Sequence, residues 1–206
     1  MLVNARDRKR LATEAAEPDG GSADPARDLA SGASAALRRL AAHDLRDRPD
    51  CAGLLCRRLG EEDDASVRAV ILTSLIRLKS PEVAAELAPY LRSEDATLRS
   101  EVMEALQEMP DEIGPVLDRL LDDEDSDVRI FAANILGCLP HPRAPALLAR
   151  AVARDPNVNV CMAALDGLME VGDAGMIAAI AALPSRFPDQ PFVQFAAAAA
   201  LKRLKG

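Results

Sequence analysis

One apolar pattern recurs along this chain and limits what it can fold into. Each copy places apolar residues at offsets 0, 4, 8 and 11, except that the first copy has Arg48 at the last offset, and a helix of 3.6 residues per turn brings these positions onto one face. Successive copies lie 30 to 33 residues apart, a period typical of stacked helical repeats. The copies begin at Leu37, Val67, Leu98, Val128, Val160 and Val193.

A second set of apolar positions lies between these copies, spaced i, i+4 and i+8. Its members begin at Cys51, Val83, Ile113, Ala144 and Met176, and Pro184 is predicted to end the last row. Each repeat therefore holds two amphipathic helices, A and then B, whose apolar faces share one core layer. Residues 33–206 are predicted as an all-α, right-handed α-solenoid of about five antiparallel helix pairs plus a terminal helix. Residues 1–32 are predicted as an N-terminal helix and a flexible linker.

Acidic runs separate three of the B helices from the next A helix. Asp64, Asp95 and Asp125 each stand three residues before an A-helix copy, where a carboxylate caps the first helical turn. Arginines follow the first apolar position of four copies, and each is predicted to reach its own cap or that of a neighbouring repeat. These arginines are Arg38, Arg68, Arg99 and Arg129, whereas Cys161 and Gln194 replace them in the last two copies. None of the runs has the spacing of a calcium loop, so no metal site is predicted.

The pattern D-x-x-V-R followed by leucine, as in Asp64, Val67, Arg68 and Leu75, resembles the bacterial HEAT-like repeats that also occur in phycobilisome lyases. The resemblance covers roughly residues 33–205. It implies a protein-binding scaffold, although a few such proteins are bilin lyases or other enzymes. The His-Glu pairs of the iron-dependent hydroxylase branch are absent, as are the tryptophans and basic groove of the DNA-glycosylase branch.

Residues that could support catalysis are scarce. The two histidines, His43 and His141, have no metal-ligand or catalytic partner at a recognised spacing, and surface or turn positions are predicted for both. The chain has no glycine-rich phosphate loop and no G-x-S-x-G motif. We therefore expect no catalytic residues, no cofactor and no enzymatic activity of the chain alone.

Net charge, hydropathy and cysteine spacing limit the classes of partner and the cellular compartment that the sequence predicts. A net charge of -8 and a pI near 4.9 argue against nucleic-acid or anionic-membrane binding. The sequence shows no signal peptide and no stretch long enough to span a membrane. Its four cysteines lack CxxC spacing and are predicted as reduced core thiols, which favours a cytoplasmic protein.

The predicted binding surface is an outer row two residues beyond the middle of each B column. Arg57, Arg119 and Arg150 occupy it, with Pro89 in the remaining copy and Tyr90 beside it. Guanidinium groups there would bind carboxylates on a protein with an acidic or mixed surface, unless the row is simply solvated. Two alternatives remain open: a subunit of a bilin lyase or similar complex, and a regulatory adaptor of a two-component-type signalling protein. The helix of residues 192–205 is predicted to be either an alanine-rich cap or a docking surface for a partner or second copy.

Overall fold

The computed structural model describes residues 24–30 and 33–204. Within these ranges the regular secondary structure is helical, with no β-strand, which confirms the predicted all-α class. The packing divides the chain into two compact units, with the division after Ile113. The helix predicted near the N-terminus, within residues 1–16, lies outside the described residues.

Unit 1 begins with a short helix that precedes the first repeat. This helix, α1, packs against α2 and buries Leu29 completely, so packing starts before residue 33. Pro89 ends the α-helical part of α5, and a 3-10 turn continues to Arg92, as expected for a proline that removes a backbone donor. The helices of unit 1 are α1 (Pro25–Ala30), α2 (Ala35–Asp44), α3 (Ala52–Glu61), α4 (Ala65–Leu78), α5 (Pro81–Leu87) and α6 (Ala96–Gln107).

Unit 2 continues the alternation of B and A helices. Its A helices are α8, α10 and α12, and its B helices are α7, α9 and α11. The prediction that Pro184 ends the last B row is wrong, because α11 continues through this proline to Arg186. The helices of unit 2 are α7 (Gly114–Leu121), α8 (Ser126–Cys138), α9 (Ala144–Arg154), α10 (Val158–Val171), α11 (Ile177–Arg186) and α12 (Pro191–Leu204).

The apolar columns form the core of each unit. The first two positions of every A-helix copy from Val67 onward are buried, and so are the full B columns that begin at Cys51, Val83, Ile113 and Ala144. The register predicted from the sequence is therefore confirmed. Leu37 is the exception, because its side chain is 46% exposed although Ala41 and Leu45 in the same copy are fully buried.

Capping side chains fix where the A helices begin. Oδ1 of Asp64 accepts hydrogen bonds from the backbone N–H groups of Ser66 (2.9 Å) and Val67 (3.3 Å). Asp95, Asp125 and Asn157 cap their helices in the same way. Two residues before each cap, a second side-chain oxygen accepts the N–H of the cap residue itself, at 2.8 to 3.2 Å. These second acceptors belong to Glu62, Ser93, Asp123 and Asp155.

The repeat arginines connect neighbouring repeats through these second acceptors. Arg38 donates two hydrogen bonds of 2.7 Å to the carboxylate of Glu62, and Arg129 does the same to Asp155 at 2.8 and 3.2 Å. For Arg68 the residue at the equivalent position is the uncharged Ser93, and Arg68 pairs instead with Asp95 and Glu101. Each of these three arginines thus reaches the next repeat and not its own cap.

Arg186 replaces the arginine that the fourth complete copy lacks. In the earlier copies the repeat arginine also donates to the backbone carbonyl of its own second acceptor, for example Arg68 to Glu62 at 3.2 Å. Cys161, at 3.3 Å, offers only a weak thiol donor to the corresponding carbonyl, that of Asp155. Arg186 of α11 donates to it, and also to the carbonyl of Val152 at 2.5 Å and the sulfur of Cys161 at 3.4 Å.

Candidate protein-binding surface

The outer row of the B helices is positioned by the column that faces the core. Leu55, Leu117 and Leu148 are fully buried at the middle of their columns. A residue two places further along is turned about 200° around the helix, which directs it away from the core. The arginines at these three places are Arg57 on α3, Arg119 on α7 and Arg150 on α9.

Arg57 is exposed on the surface of unit 1. It forms no ion pair within the part of the chain that the structure describes. Its Nη1 and the carboxylate of Glu86 each lie 3.5 Å from the point where a Cβ on Gly53 would stand. A methyl group at Gly53 would therefore be in ordinary van der Waals contact with both side chains.

Arg119 and Arg150 differ in how they are held in unit 2. Arg150 is half-buried and lies 3.2 Å from Oδ1 of Asp118 and 3.5 Å from Oδ1 of Asp122. Asp118 also accepts from Arg143, and this hydrogen bond is the main cause that lowers the pKa of the Asp118 carboxyl. Arg119 is exposed and has no ion pair among residues 24–30 and 33–204. Arg119 is therefore available to a partner, whereas Arg150 is already neutralised by carboxylates of its own unit.

Tyr90 has an internal role in unit 1. Its hydroxyl donates to the carbonyl of Cys56 at 2.7 Å, and its ring lies where a Cβ on Gly60 would come within 2.8 Å. Burial raises the pKa of the Tyr90 phenol, which keeps the hydroxyl protonated as a donor. This hydrogen bond joins the 3-10 turn after α5 to α3. Because Tyr90 is half-buried, only part of its ring is accessible.

The apolar residues beside the row belong to the core. The sequence leaves open whether they line an apolar groove or widen the buried stripe. In unit 2 all four are buried, which favours the widened stripe: Val116, Leu120, Leu147 and Ala151. In unit 1, Leu54 is half-buried. The outer row is thus polar, with arginine as its recurring residue.

Three of the four cysteines are buried in the fold. Burial raises the pKa of the Cys56 thiol to about 12, and the neighbouring Glu86 carboxylate acts in the same direction. Cys51 and Cys161 are also buried, but the prediction of a core thiol is wrong for Cys138, which is exposed near the end of α8. All four cysteines are free.

The histidines lie in polar surroundings at the positions predicted for them. His43 is half-buried near the end of α2, where both ring nitrogens lie within 2.7 Å of Nη1 of Arg46. His141 lies in the turn before α9, and its Nδ1 accepts the backbone N–H of Arg143 at 3.2 Å. Across the described ranges, no group of three or more His, Cys, Asp or Glu side chains could hold a metal ion. None of the described helices has the length and apolar character needed to cross a bilayer.

Comparison with known proteins bears on the repeat architecture. Residues 113–202 match the family model for HEAT repeats. The chain also resembles the solved structure of human deoxyhypusine hydroxylase in complex with glycerol, with 18% sequence identity and a TM-score of 0.48. This similarity covers 98% of the present chain and 75% of the hydroxylase chain. No curated protein matches the sequence.

Proposed function

Because the chain is a HEAT-like repeat protein, we propose that it is a non-catalytic scaffold or adaptor that holds another protein on the outer row of its B helices. One observation carries this proposal. Arg57 and Arg119 occupy the same position of two different B helices, both are exposed, and neither is ion-paired within the described residues. Each unit thus presents one exposed guanidinium, unpaired among the described residues, at the same position of a B helix, and such a group is able to bind carboxylates of a partner.

The chemistry of guanidinium favours a partner with carboxylates. Arginine donates in a planar fork that matches the two oxygens of a carboxylate, and such paired hydrogen bonds are stronger than those between neutral groups. Since Arg57 and Arg119 have no ion pair among the described residues, binding a carboxylate there breaks none of the described ion pairs. Arg150 contributes less, because Asp118 and Asp122 already neutralise it. The partner surface is therefore acidic or mixed.

The non-catalytic part of the proposal is supported by the state of the reactive side chains. Burial raises the pKa of the Cys56 and Cys161 thiols, so both are poor nucleophiles near neutral pH. The free cysteines also fit a reducing compartment, and the proposal places the complex in the cytoplasm. A saturable spectral change on titration with a bilin would overturn this part, since it would favour the lyase-subunit alternative.

The test is a quantitative pull-down from the native cell lysate with the parent protein and the Arg57→Glu/Arg119→Glu variant. The matched control is Arg27→Glu/Lys79→Glu, which makes the same change in net charge. Both control residues are exposed and have no ion pair in the described chain. We expect the arginine-row variant to retain at least about tenfold less partner than the parent, and the control to retain a similar amount.

Two results would contradict the proposal. Equal loss in the two variants would mean that net charge, and not the row, governs binding. Equal retention of the same partner by all three proteins would place the binding site elsewhere. Circular dichroism of each variant establishes that the comparison is made between folded proteins.

A further inference from the structure

One face of α12 is apolar and uncovered within the described chain. Phe192 is 47% exposed and Phe195 is 79% exposed, although phenylalanine is normally among the buried residues. Ala199 and Lys202 lie on the same side of the helix and are also exposed. The opposite side packs against α10 and α11 and buries Val193, Ala197 and Ala200.

The order of residues on this face makes it complementary to itself. Read from the start of the helix, the face carries two large aromatic residues, then a small residue, then a cation. When two such helices lie antiparallel and are centred on Ala197, Phe195 of each copy faces Ala199 of the other. Phe192 of each copy then faces Lys202 of the other.

Both contacts are favourable. The small side chain of Ala199 leaves a hole into which the ring of Phe195 fits, and it lets the helix axes approach to about 8 to 10 Å. A lysine ammonium within about 6 Å of a phenyl ring is attracted by the negative face of that ring. Arg203, the next cation, is held by Glu170 of its own copy at 3.4 Å, so Lys202 is the cation that the face presents.

We propose that this face binds the same face of a second copy of the chain, with the two α12 helices antiparallel about a two-fold axis. Two-fold symmetry doubles each contact, because any residue pair made once is made again by the other copy. The aromatic, small and cationic residues occur at matched distances from the centre of the helix. An unrelated apolar partner would require no such matching.

Self-association is measured by sedimentation velocity over a series of protein concentrations. The parent protein is expected to form dimers, and Phe195→Asp is expected to weaken dimerisation at least about tenfold. Leu37→Asp is the matched control, because Leu37 is also an exposed large hydrophobic residue but lies on α2. This control is expected to dimerise as the parent does. Since Phe195 is mostly exposed, its replacement does not disturb the core.

A charge exchange tests the antiparallel register. Phe192→Lys places two lysines opposite each other at each end of the pair, and it is expected to weaken dimerisation. The double variant Phe192→Lys/Lys202→Glu places lysine opposite glutamate and is expected to restore the dimer. A parent that stays monomeric at every concentration would overturn the proposal. So would a dimer that survives Phe195→Asp, or a double variant that dimerises no better than Phe192→Lys.

Discussion

The two units join neighbouring A helices in different ways. In unit 1 the contacts include buried charged side chains: Glu62 is 3% exposed, Arg68 is 8% exposed and Glu101 is 4% exposed. In unit 2, α8 and α10 come so close that a Cβ on Gly137 would stand 2.8 Å from the Cα of Gly167. Unit 2 also has one largely buried ion pair, Arg129 with Asp155, but only there does the backbone of two A helices come this close among the described glycines. Unit 1 should therefore respond mainly to changes of charge, whereas unit 2 should respond to changes of side-chain volume as well.

Glu62 shows how unit 1 accommodates a buried carboxylate. Its oxygens accept hydrogen bonds from Arg38, from Arg58 at 2.8 and 3.1 Å, and from the backbone of Asp64 at 3.0 Å. Burial alone would raise the pKa of this carboxyl, but the hydrogen bonds outweigh burial and lower the pKa to about 2. By contrast, Arg68 Nε and Glu101 Oε2 lie 3.0 Å apart in an ion pair whose geometry does not make a hydrogen bond.

The largest effect is expected from the apolar core, which each unit has for itself. Leu106→Ala in unit 1 and Leu136→Ala in unit 2 each remove a fully buried side chain, and each should lower the free energy of unfolding by about 2 to 5 kcal/mol. Urea denaturation measures this quantity. Leu37→Ala, at an exposed position, should change it by less than about 0.5 kcal/mol. An unchanged midpoint for either buried leucine would contradict the helix register.

Removing the Glu62 carboxylate should destabilise unit 1 selectively. Glu62→Ala leaves Arg38 and Arg58 without their shared anion, and we expect a loss of about 3 kcal/mol because both guanidinium groups are largely buried. Glu62→Gln preserves the shape of the side chain and should lose less. Hydrogen exchange resolved by peptide should show faster exchange in α2 and α4 and little change in α10. Equal acceleration in both units would remove the contrast drawn here.

Acid should weaken the same contact. The folded pKa of Glu62 lies below its ordinary value of 4.5, so its stabilising contribution is full above that value and is lost as the pH falls towards 2. About 2 kcal/mol of this contribution should disappear between about pH 6 and about pH 3. The measurement is the difference in unfolding free energy between the parent protein and Glu62→Gln at both pH values. A difference that does not narrow on acidification would show that Glu62 is not the titrating group.

The smallest of these effects is expected where unit 2 packs most closely. Gly137→Ala forces a methyl group against the backbone of Gly167, and it should cost about 1 to 2 kcal/mol. Gly53→Ala is the control, because the nearest atoms there are 3.5 Å away and belong to side chains that can move. It should be neutral or slightly stabilising. Thermal unfolding scans of both variants measure these changes in stability. A neutral Gly137→Ala would mean that the two helices can separate at little cost.

Much of the fold could be predicted because its determinants are periodic. The A and B columns and the capping aspartates recur at fixed offsets, so copies such as Val67 and Leu98 reinforce one another. The exposure of Leu37 could not be predicted in this way, since the copy matches the pattern but stands at the start of the array. The prediction that an arginine reaches the cap of a neighbouring repeat is confirmed for Arg68 and Asp95, but the partners of Arg38 and Arg129 were missed. Glu62 and Asp155 could have been found from a regular signal, an oxygen-bearing side chain two residues before each cap.

The candidate site was predictable only as a set of positions. The helical spacing predicted correctly that Arg57 and Arg119 would be exposed. It could not show that Arg150 pairs with Asp118 and Asp122, because these residues belong to α7 and the turn after it, and their distance from Arg150 depends on packing. The internal hydrogen bond of Tyr90 depends in the same way on the placement of α5 against α3. Whether the row binds a partner stays a prediction for the pull-down to test.

The position of Arg186 has a consequence for rearranging this protein. In copies such as that of Arg68, the arginine that donates to the backbone carbonyl just before an A helix belongs to that same A helix. Donor and acceptor therefore lie close together in the sequence. At the fourth complete copy, the guanidinium that serves Val152 and Asp155 comes from the following B helix. A truncation after Val171 would remove the guanidinium donor of the Val152 carbonyl and leave the Asp155 carbonyl with only the Cys161 thiol, whereas a boundary after Arg186 would keep the guanidinium with its acceptors. Because Val152 lies in α9 and Asp155 follows that helix, residues 152–186 are a single piece for any deletion, duplication or transplant of repeats.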